Sequence, residues 1–585
     1  MKILFLSVFL SFLPTFTFGY PLSVDWLFEF AVPRIAVQWF LSDPAPQVAS
    51  VQGLIIGTVL DNPSWPGAIE AFRGIPYALA PTGERRFRPA VPVPESDETI
   101  WATDFGPRCP GKQLVQIPGS EIRESEDCLT INVFRGITQR QKLPVAVYIH
   151  GGAFNRGAAA MHNTASMVAW SEEPFIGVSF NYRIGALGFL PSKQSAEEGI
   201  LNLGLQDQIL AMKWVQENID IFGGDPEQVT LFGLSAGAHS VGHHLMNYNS
   251  TSPLFHRVII ESGGPTSRAV RPYHASIHEF QFKEFLVEAK CSGYQSTSEV
   301  FACLRSQPEK VITDAQTAIF TKYNPALTWA FQPVIDGEDG VIPRRPIDAW
   351  DVGLWNHGVP IMTGFSHNEG TMYVPSAMSR PEEFRQFFRT LIPLLDEDDI
   401  QTIEELYPDP STHSESPYVD TRNLTAIQVG PQFKRVEAAY AHYAYVCPVR
   451  QTARIAAEHT PVYLYHWALN QTVKGGANHA DHIGYQTMND DVLEYSDAQK
   501  EVALTMHAYW TSFIATGSPN ALRERTSYIP FWSEYKTSQE VMVFGRGNDE
   551  RAGGSGVGVS AKMEPDEWSS VECNFWWNKT VLSEM

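Results

Sequence analysis

Basic residues are scarce in this sequence. Its 585 residues carry 43 Lys and Arg against 65 Asp and Glu, a formal net charge of −22. A surface of that sign repels nucleic-acid phosphates and anionic membranes, and it weighs against highly anionic substrates. Cysteine is also scarce: there are six, none in C-x-x-C spacing, which speaks against metal and redox chemistry. Long apolar runs are missing beyond the N-terminus, so no later segment is expected to span a bilayer. The C-terminal residues 581–585, VLSEM, carry neither a retention signal nor a lipid-anchor tail. There is no internal repeat, no low-complexity tract and no linker. The loosest stretch is the Gly-rich Arg546 to Ser560, which reads as a flexible surface loop. With 44% hydrophobic and 18% charged residues the chain is globular, and one large domain with insertions fits better than several domains.

Met1-Lys2, an apolar run from Ile3 to Phe18 and the small residues Thr17 and Gly19 read as a signal peptide over residues 1–19. The mature chain is then secreted. Residues 20–50 form an extension that could pack on the domain, act as a pro-segment or touch lipid, and 51–585 form the domain. An even cysteine count in a secreted chain suggests three disulfides. Fifteen pairings are possible in principle. Nearest-neighbour logic favours Cys109–Cys128 and Cys291–Cys303, leaving Cys447–Cys573. N-x-S/T sequons at Asn249, Asn423, Asn470 and Asn578 agree with secretion, while Pro63 excludes Asn62.

The chain is organised around Val229 to Leu245. An apolar run, Val229 to Phe232, reads as a buried strand. It enters Gly233-Leu234-Ser235-Ala236-Gly237, a G-x-S-x-G pattern, and a helix-compatible stretch follows from Ala236 to Met246. Strand, tight turn and helix would hold Ser235 on a sharp corner with its hydroxyl presented at a helix N-terminus. Further strands are expected at 53–59, 72–78, 126–133, 145–149, 176–180, 359–364 and 461–465, with a helix over Gln206–Asn218. This alternation implies a mostly parallel sheet with helices on both faces.

Seven stretches in the first half make a pattern in order: FRGIPYA (72–78), EDCLTINV (126–133), HGGAF (150–154), NYRIGALGFL (181–190), NLGLQDQ (202–208), FGGDP (222–226) and FGLSAGA (232–238). HNEG (367–370), CPVRQTA (447–453), GANHADHI (476–483), TGSPN (516–520) and CNFWW (573–577) complete it. The chain resembles the type-B carboxylesterase/lipase family, the cholinesterase-like branch of the α/β-hydrolases, across nearly its whole mature length. The resemblance implies an α/β-hydrolase fold and ester hydrolysis without metal or cofactor. Its disulfide pattern is similar to the pairing proposed above.

Ester hydrolysis needs a nucleophile, a base and donors for an oxyanion. Ser235 is the expected nucleophile. In this fold the order is serine, acid, histidine, which puts the base in the C-terminal third. His479 matches the family's glycine-started loop, with Ile483 four positions on. His482, where the family has an acid, is the alternative base, and His466 and His507 read as packing or surface residues. Glu369 in its x-E-G loop is the expected acid, with Asp336 as the alternative. Backbone N–H groups of Gly152, Ala153 and Ala236 are the expected oxyanion donors. By analogy Arg73–Glu126 and Arg183–Asp207 would brace the sheet, and Ser262 would support the triad.

Two departures bear on the substrate, expected to be a small-molecule or lipid ester. Leu234 stands where cholinesterases carry Glu, and no aromatic residue lies between Cys109 and Cys128 to hold a choline cation. The short loop there offers no obvious interfacial lid. A secreted serine carboxylesterase is therefore the expectation. A lipase acting on long-chain acylglycerols, which the apolar extension favours, and a non-catalytic recognition protein of the same fold are the alternatives.

Overall fold

The computed structural model describes residues 45–112, 123–138, 140–247, 251–268, 270–471, 476–521 and 529–584. The signal peptide, the extension up to residue 44, Asn249 and Gly475 lie outside the described residues. Residues from Pro46 onward make one compact unit. Fourteen strands are described: β1 (Gln47–Ser50), β2 (Gly53–Ile56), β3 (Thr58–Leu60), β4 (Ile69–Pro76), β5 (Thr99–Trp101), β6 (Thr130–Gly136), β7 (Leu143–Ile149), β8 (Ile176–Phe180), β9 (Gly224–Leu234), β10 (Arg257–Glu261), β11 (Ile361–Ser366), β12 (Val462–Trp467), β13 (Glu540–Phe544) and β14 (Ala561–Pro565).

Eleven of them form one sheet in the order β14-β13-β12-β11-β10-β9-β7-β8-β6-β4-β3. The middle, from β8 through β13, is parallel. Antiparallel pairs close both ends, β13–β14 on one side and β3–β4, β4–β6 and β6–β8 on the other. β8, β11 and β12 are buried along their whole length, as parallel strands covered on both faces must be. Alternation along β7 shows the two layers. Val145, Val147 and Ile149 enter one core, and Ala146 and Tyr148 enter the other.

Six helices matter below: α1 (Leu203–Asn218), α2 (Ala236–Met246), α3 (Ser276–Glu288), α4 (Phe433–Ala441), α5 (Cys447–Ala456) and α6 (Asp497–Thr516). α1, α2 and α5 pack into the first core, and α6 lies against the second through Val502, Met506, Trp510 and Phe513. This is the α/β-hydrolase fold. Arg183 and Asp207 form the expected buried pair, with Nη2 2.7 Å from Oδ1.

Two expectations change. The strand expected over 53–59 is two strands broken at Gly57, where a Cβ would lie 2.5 Å from the Ala71 carbonyl. It is also preceded by β1, which pairs with β2 in a separate three-stranded sheet with β5. Arg73 does not reach Glu126. It lies 3.7 Å from Asp104, while Glu126 is held at 2.6 Å by Arg86. The reason is local: Arg86 is buried beside Glu126 and donates to the carbonyls of Leu304, Arg305 and Gln307, so its charge faces inward, whereas Arg73 turns to the Thr103 carbonyl.

The disulfides are Cys109–Cys128, Cys291–Cys303 and Cys447–Cys573. The last ties α5 to the C-terminal helix Ser570–Asn578 across 126 residues. Replacing Cys447 and Cys573 together by Ala is expected to cost about 2–5 kcal/mol of stability. Denaturant unfolding of oxidised wild type and the double variant checks this, and coincident curves would contradict it.

Candidate active site

Ser235 stands between β9 and α2 with φ 59° and ψ −123°, a conformation that costs a non-glycine residue about 1–3 kcal/mol. The flanking glycines explain how the turn is held. A Cβ on Gly237 would lie 2.0 Å from the Ile149 carbonyl oxygen, and one on Gly233 would lie 2.7 Å from the Gly237 carbonyl carbon. The turn therefore presses directly on the end of β7. The Ser235 N–H donates to the Glu261 carbonyl at 2.9 Å, which fixes the corner against β10.

The loop after β7 lies against this corner: a Cβ on Gly151 would be 3.1 Å from the Ser235 Cβ. Gly152 has φ 116° and Ala153 φ 55°. Ala153, at the third place of the Gly151-Gly152-Ala153 run, thus holds a left-handed conformation that favours glycine and costs roughly 1–2 kcal/mol. The Ala153 carbonyl is held by the amides of Asn155 (2.8 Å) and Gln332 (2.9 Å). The N–H groups of Gly152 and Ala153 donate no hydrogen bond within the described residues. Neither Asn155 nor Gln332 carries a motif, so sequence reading passed over both.

Glu369 lies in the loop after β11 and is fully buried. One oxygen accepts from the Ser366 N–H at 2.6 Å, and the other is hydrogen-bonded to His479 Nδ1. The buried His479 Nε2 has no hydrogen-bond partner. The imidazole sits between Tyr445, at 4.8 Å between ring centroids, and Tyr373, at 5.3 Å and edge-on. Tyr373 also faces the serine. Burial raises its phenol above the ordinary value, opposed by hydrogen-bonding interactions with Tyr445 and Ser235 and by the Arg156 charge. The structure thus brings Ser235, Glu369 and His479 around Tyr373. Tyr373 and Tyr445 were not singled out in the sequence, because an aromatic residue outside a motif reads as packing, whether in a loop like Tyr373 or in the helical turn His442–Val446 like Tyr445.

The alternatives lie elsewhere. His482 is in the opposite layer, with Nε2 3.6 Å from Glu261 Oε1 and 3.4 Å from the Tyr465 hydroxyl. Asp336 closes its own turn by accepting from Val341 and Ile342 N–H groups and from Asn202. His466 stacks on Trp568 and His367, and His507 is buried with Nδ1 at 2.8 Å from the Gln486 carbonyl. Ser262 is buried with an unpartnered hydroxyl. Of the sequons, Asn423 and Asn578 are exposed and Asn470 is half-buried.

The acid and histidine loops are clamped together from behind. Glu437 on α4 accepts from Gly370 N–H (3.2 Å) and Asn368 Nδ2 (3.3 Å). Asn368 Oδ1 accepts from Ala477 N–H, and the Thr371 hydroxyl donates to Asn478 Oδ1 at 2.6 Å. Burial, reinforced by Glu369, raises the Glu437 carboxyl to about 7. Its folded value lies above its unfolded one, so its stabilising contribution is complete below about pH 4.5 and is lost as pH rises through about 7. Wild type should therefore lose stability between pH 5 and 8 more steeply than Glu437→Gln, with a difference on the order of 3 kcal/mol. Denaturant melts at both pH values check this, and parallel losses in the two proteins would contradict it.

The model of the carboxylesterase family matches residues 44–567. Secreted lipase 4 of Gibberella zeae is 34% identical over 540 residues, covering 90% of this chain and 91% of the lipase. Acetylcholinesterase of Bungarus fasciatus is 30% identical over 527 residues, 85% of this chain and 81% of that enzyme. The crystal structure of Aspergillus niger EstA superposes with a TM-score of 0.77 at 28% identity, covering 93% of this chain and 99% of EstA.

Proposed function

The chain belongs to the carboxylesterase family, and we propose that within it the protein is a secreted carboxylesterase working through an acyl-enzyme on Ser235. The observation that supports this reading is the His479 imidazole, with Nδ1 bonded to the buried Glu369, Nε2 left without a partner, and the ring packed on Tyr373, which also interacts with Ser235. A serine hydroxyl is a weak nucleophile unless a base takes its proton.

His479 Nε2 accepts the Ser235 proton as Oγ attacks the ester carbonyl. The carbonyl π electrons move onto oxygen, and the N–H groups of Gly152, Ala153 and Ala236 receive the oxyanion. Each such donor contributes about 2.7–4 kcal/mol of barrier lowering. Glu369 keeps the imidazole in the tautomer with its proton on Nδ1 and stabilises the imidazolium. Collapse expels the alcohol, which takes the proton from Nε2. Water then attacks the acyl-enzyme with His479 again as base, releasing the acid and restoring Ser235.

A secreted location is supported by the N-terminal sequence and by the similarity to a secreted lipase, and no described helix is long and apolar enough to cross a membrane. The lipase-named relatives favour acylglycerols as a second reading. Hydrolysis of a chromogenic ester series, short to long acyl chains, by wild type and Ser235→Ala tests both. Turnover peaking at short chains and falling at least about 10⁴-fold in the variant is expected. A long-chain peak that requires emulsified substrate would favour the lipase reading, and unchanged turnover in the variant would overturn the assignment of Ser235.

A further inference from the structure

Three arginines at this site have no carboxylate partner. Arg156 follows the Gly151–Ala153 loop, and Arg268 and Arg271 lie in the segment after β10. Each is half-buried. Among the described residues none makes an ion pair or donates a side-chain hydrogen bond, although acidic residues outnumber basic ones by 65 to 43 over the whole chain. Elsewhere buried arginines are ion-paired, as at Arg86–Glu126, Arg183–Asp207 and Arg450–Asp566, or, at Arg435, hydrogen-bonded to the Tyr407 carbonyl and the Gln432 amide oxygen. Burying an unpaired charge is costly, so a site that keeps unpaired guanidiniums is suited to a partner supplied from outside.

Arg268 and Arg271 line a cavity of about 40 Å³ together with His278 of α3, Trp329, Gln332 and Tyr440. That volume admits a small polar group rather than an acyl chain. The Tyr440 hydroxyl and both His278 nitrogens are buried without a hydrogen-bond partner of normal geometry. The cavity adjoins the reacting groups. Gln332 holds the Ala153 carbonyl, and Trp329 packs on Tyr373 at 5.6 Å between ring centroids. The Arg268 guanidinium lies 3.6 Å from the centre of the Trp329 ring, which fixes its plane without neutralising it. Its charge is felt at His239, one helical turn after Ser235, and the Arg156 charge is felt at Tyr373.

We propose that the substrate is an ester bearing a carboxylate, which Arg268 and Arg271 receive in this cavity. This rests on the ester-hydrolase reading above and specifies its substrate class. A planar guanidinium matches a carboxylate through paired N–H donors, and two guanidiniums side by side make the match selective for an anion. The overall charge of −22 weighed against such substrates. The local reversal of sign at the site outweighs it, because a charge a few ångströms away in a half-buried cleft acts more strongly than distant screened ones.

The test is equilibrium binding to Ser235→Ala, followed by tryptophan fluorescence, with monoethyl glutarate, carboxymethyl valerate and the neutral ethyl valerate. At least one anionic ester is expected to bind about tenfold or more tighter than the neutral one, and which of the two does so identifies the acyl or the alcohol side. That preference should collapse when Arg268→Gln or Arg271→Gln is added and be partly kept by the Lys variants. Equal binding of charged and neutral esters, or Gln variants that weaken both alike, would overturn the proposal. A charge preference without turnover by wild type would support the anion site and count against the hydrolytic reading alone.

Discussion

The approach of Gly237 to the end of β7 is the constraint on which the rest of the site depends. With a Cβ excluded by the Ile149 carbonyl, the chain leaves β9, turns within one residue and starts α2. Ser235 is the residue that must occupy that turn, and its positive φ is the consequence. The same closeness brings Gly151 against Ser235. The central parallel strands supply the rigidity. β7, β9, β10, β11 and β12 are neighbours, so the loops leaving them converge at one edge of the sheet. Strain of a few kcal/mol at one corner is tolerable because two buried cores fix both of its ends.

Around this corner the site is built in layers of different chemistry. Glu369 and His479 are joined directly, and their loops are tied by Asn368, Asn478, Thr371 and Glu437, so neither loop moves without the other. Tyr373 and Tyr445 wrap the imidazole in aromatic surface, and Tyr373 also interacts with the serine. Beyond them lie the arginines. The protein thus surrounds one carboxylate–imidazole pair with aromatic walls and places uncompensated positive charge at their margin.

Much of the fold was legible in sequence because its signals are local. The helix over Ala236–Met246 and the strand over Ile176–Phe180 follow from apolar pattern and turn residues, and β7, β9, β11 and β12 lie where apolar runs stand between glycines and prolines. The antiparallel margins were not legible, since pairing direction depends on connections rather than on strand composition. The Arg73–Glu126 assignment failed for a similar reason. Both residues sit in recognisable motifs, but Arg86, outside those motifs, is the one turned inward. Ser235, Glu369 and His479 could be proposed because each stands in a short distinctive motif. Asn155, Gln332, Tyr373 and the arginines could not, because their meaning comes only from a meeting of segments distant in sequence. Net charge, a property of the whole surface, concealed the positive lining of one cleft.

The central claim is that Ser235 is the nucleophile activated by His479. Covalent trapping tests it most directly: wild type, Ser235→Ala and His479→Ala are incubated with a fluorophosphonate, and the adduct is located by peptide mass spectrometry. One adduct is expected, on Ser235, formed rapidly in wild type, absent in Ser235→Ala and slowed by orders of magnitude in His479→Ala. An adduct on another residue, or equal labelling of wild type and His479→Ala, would contradict it.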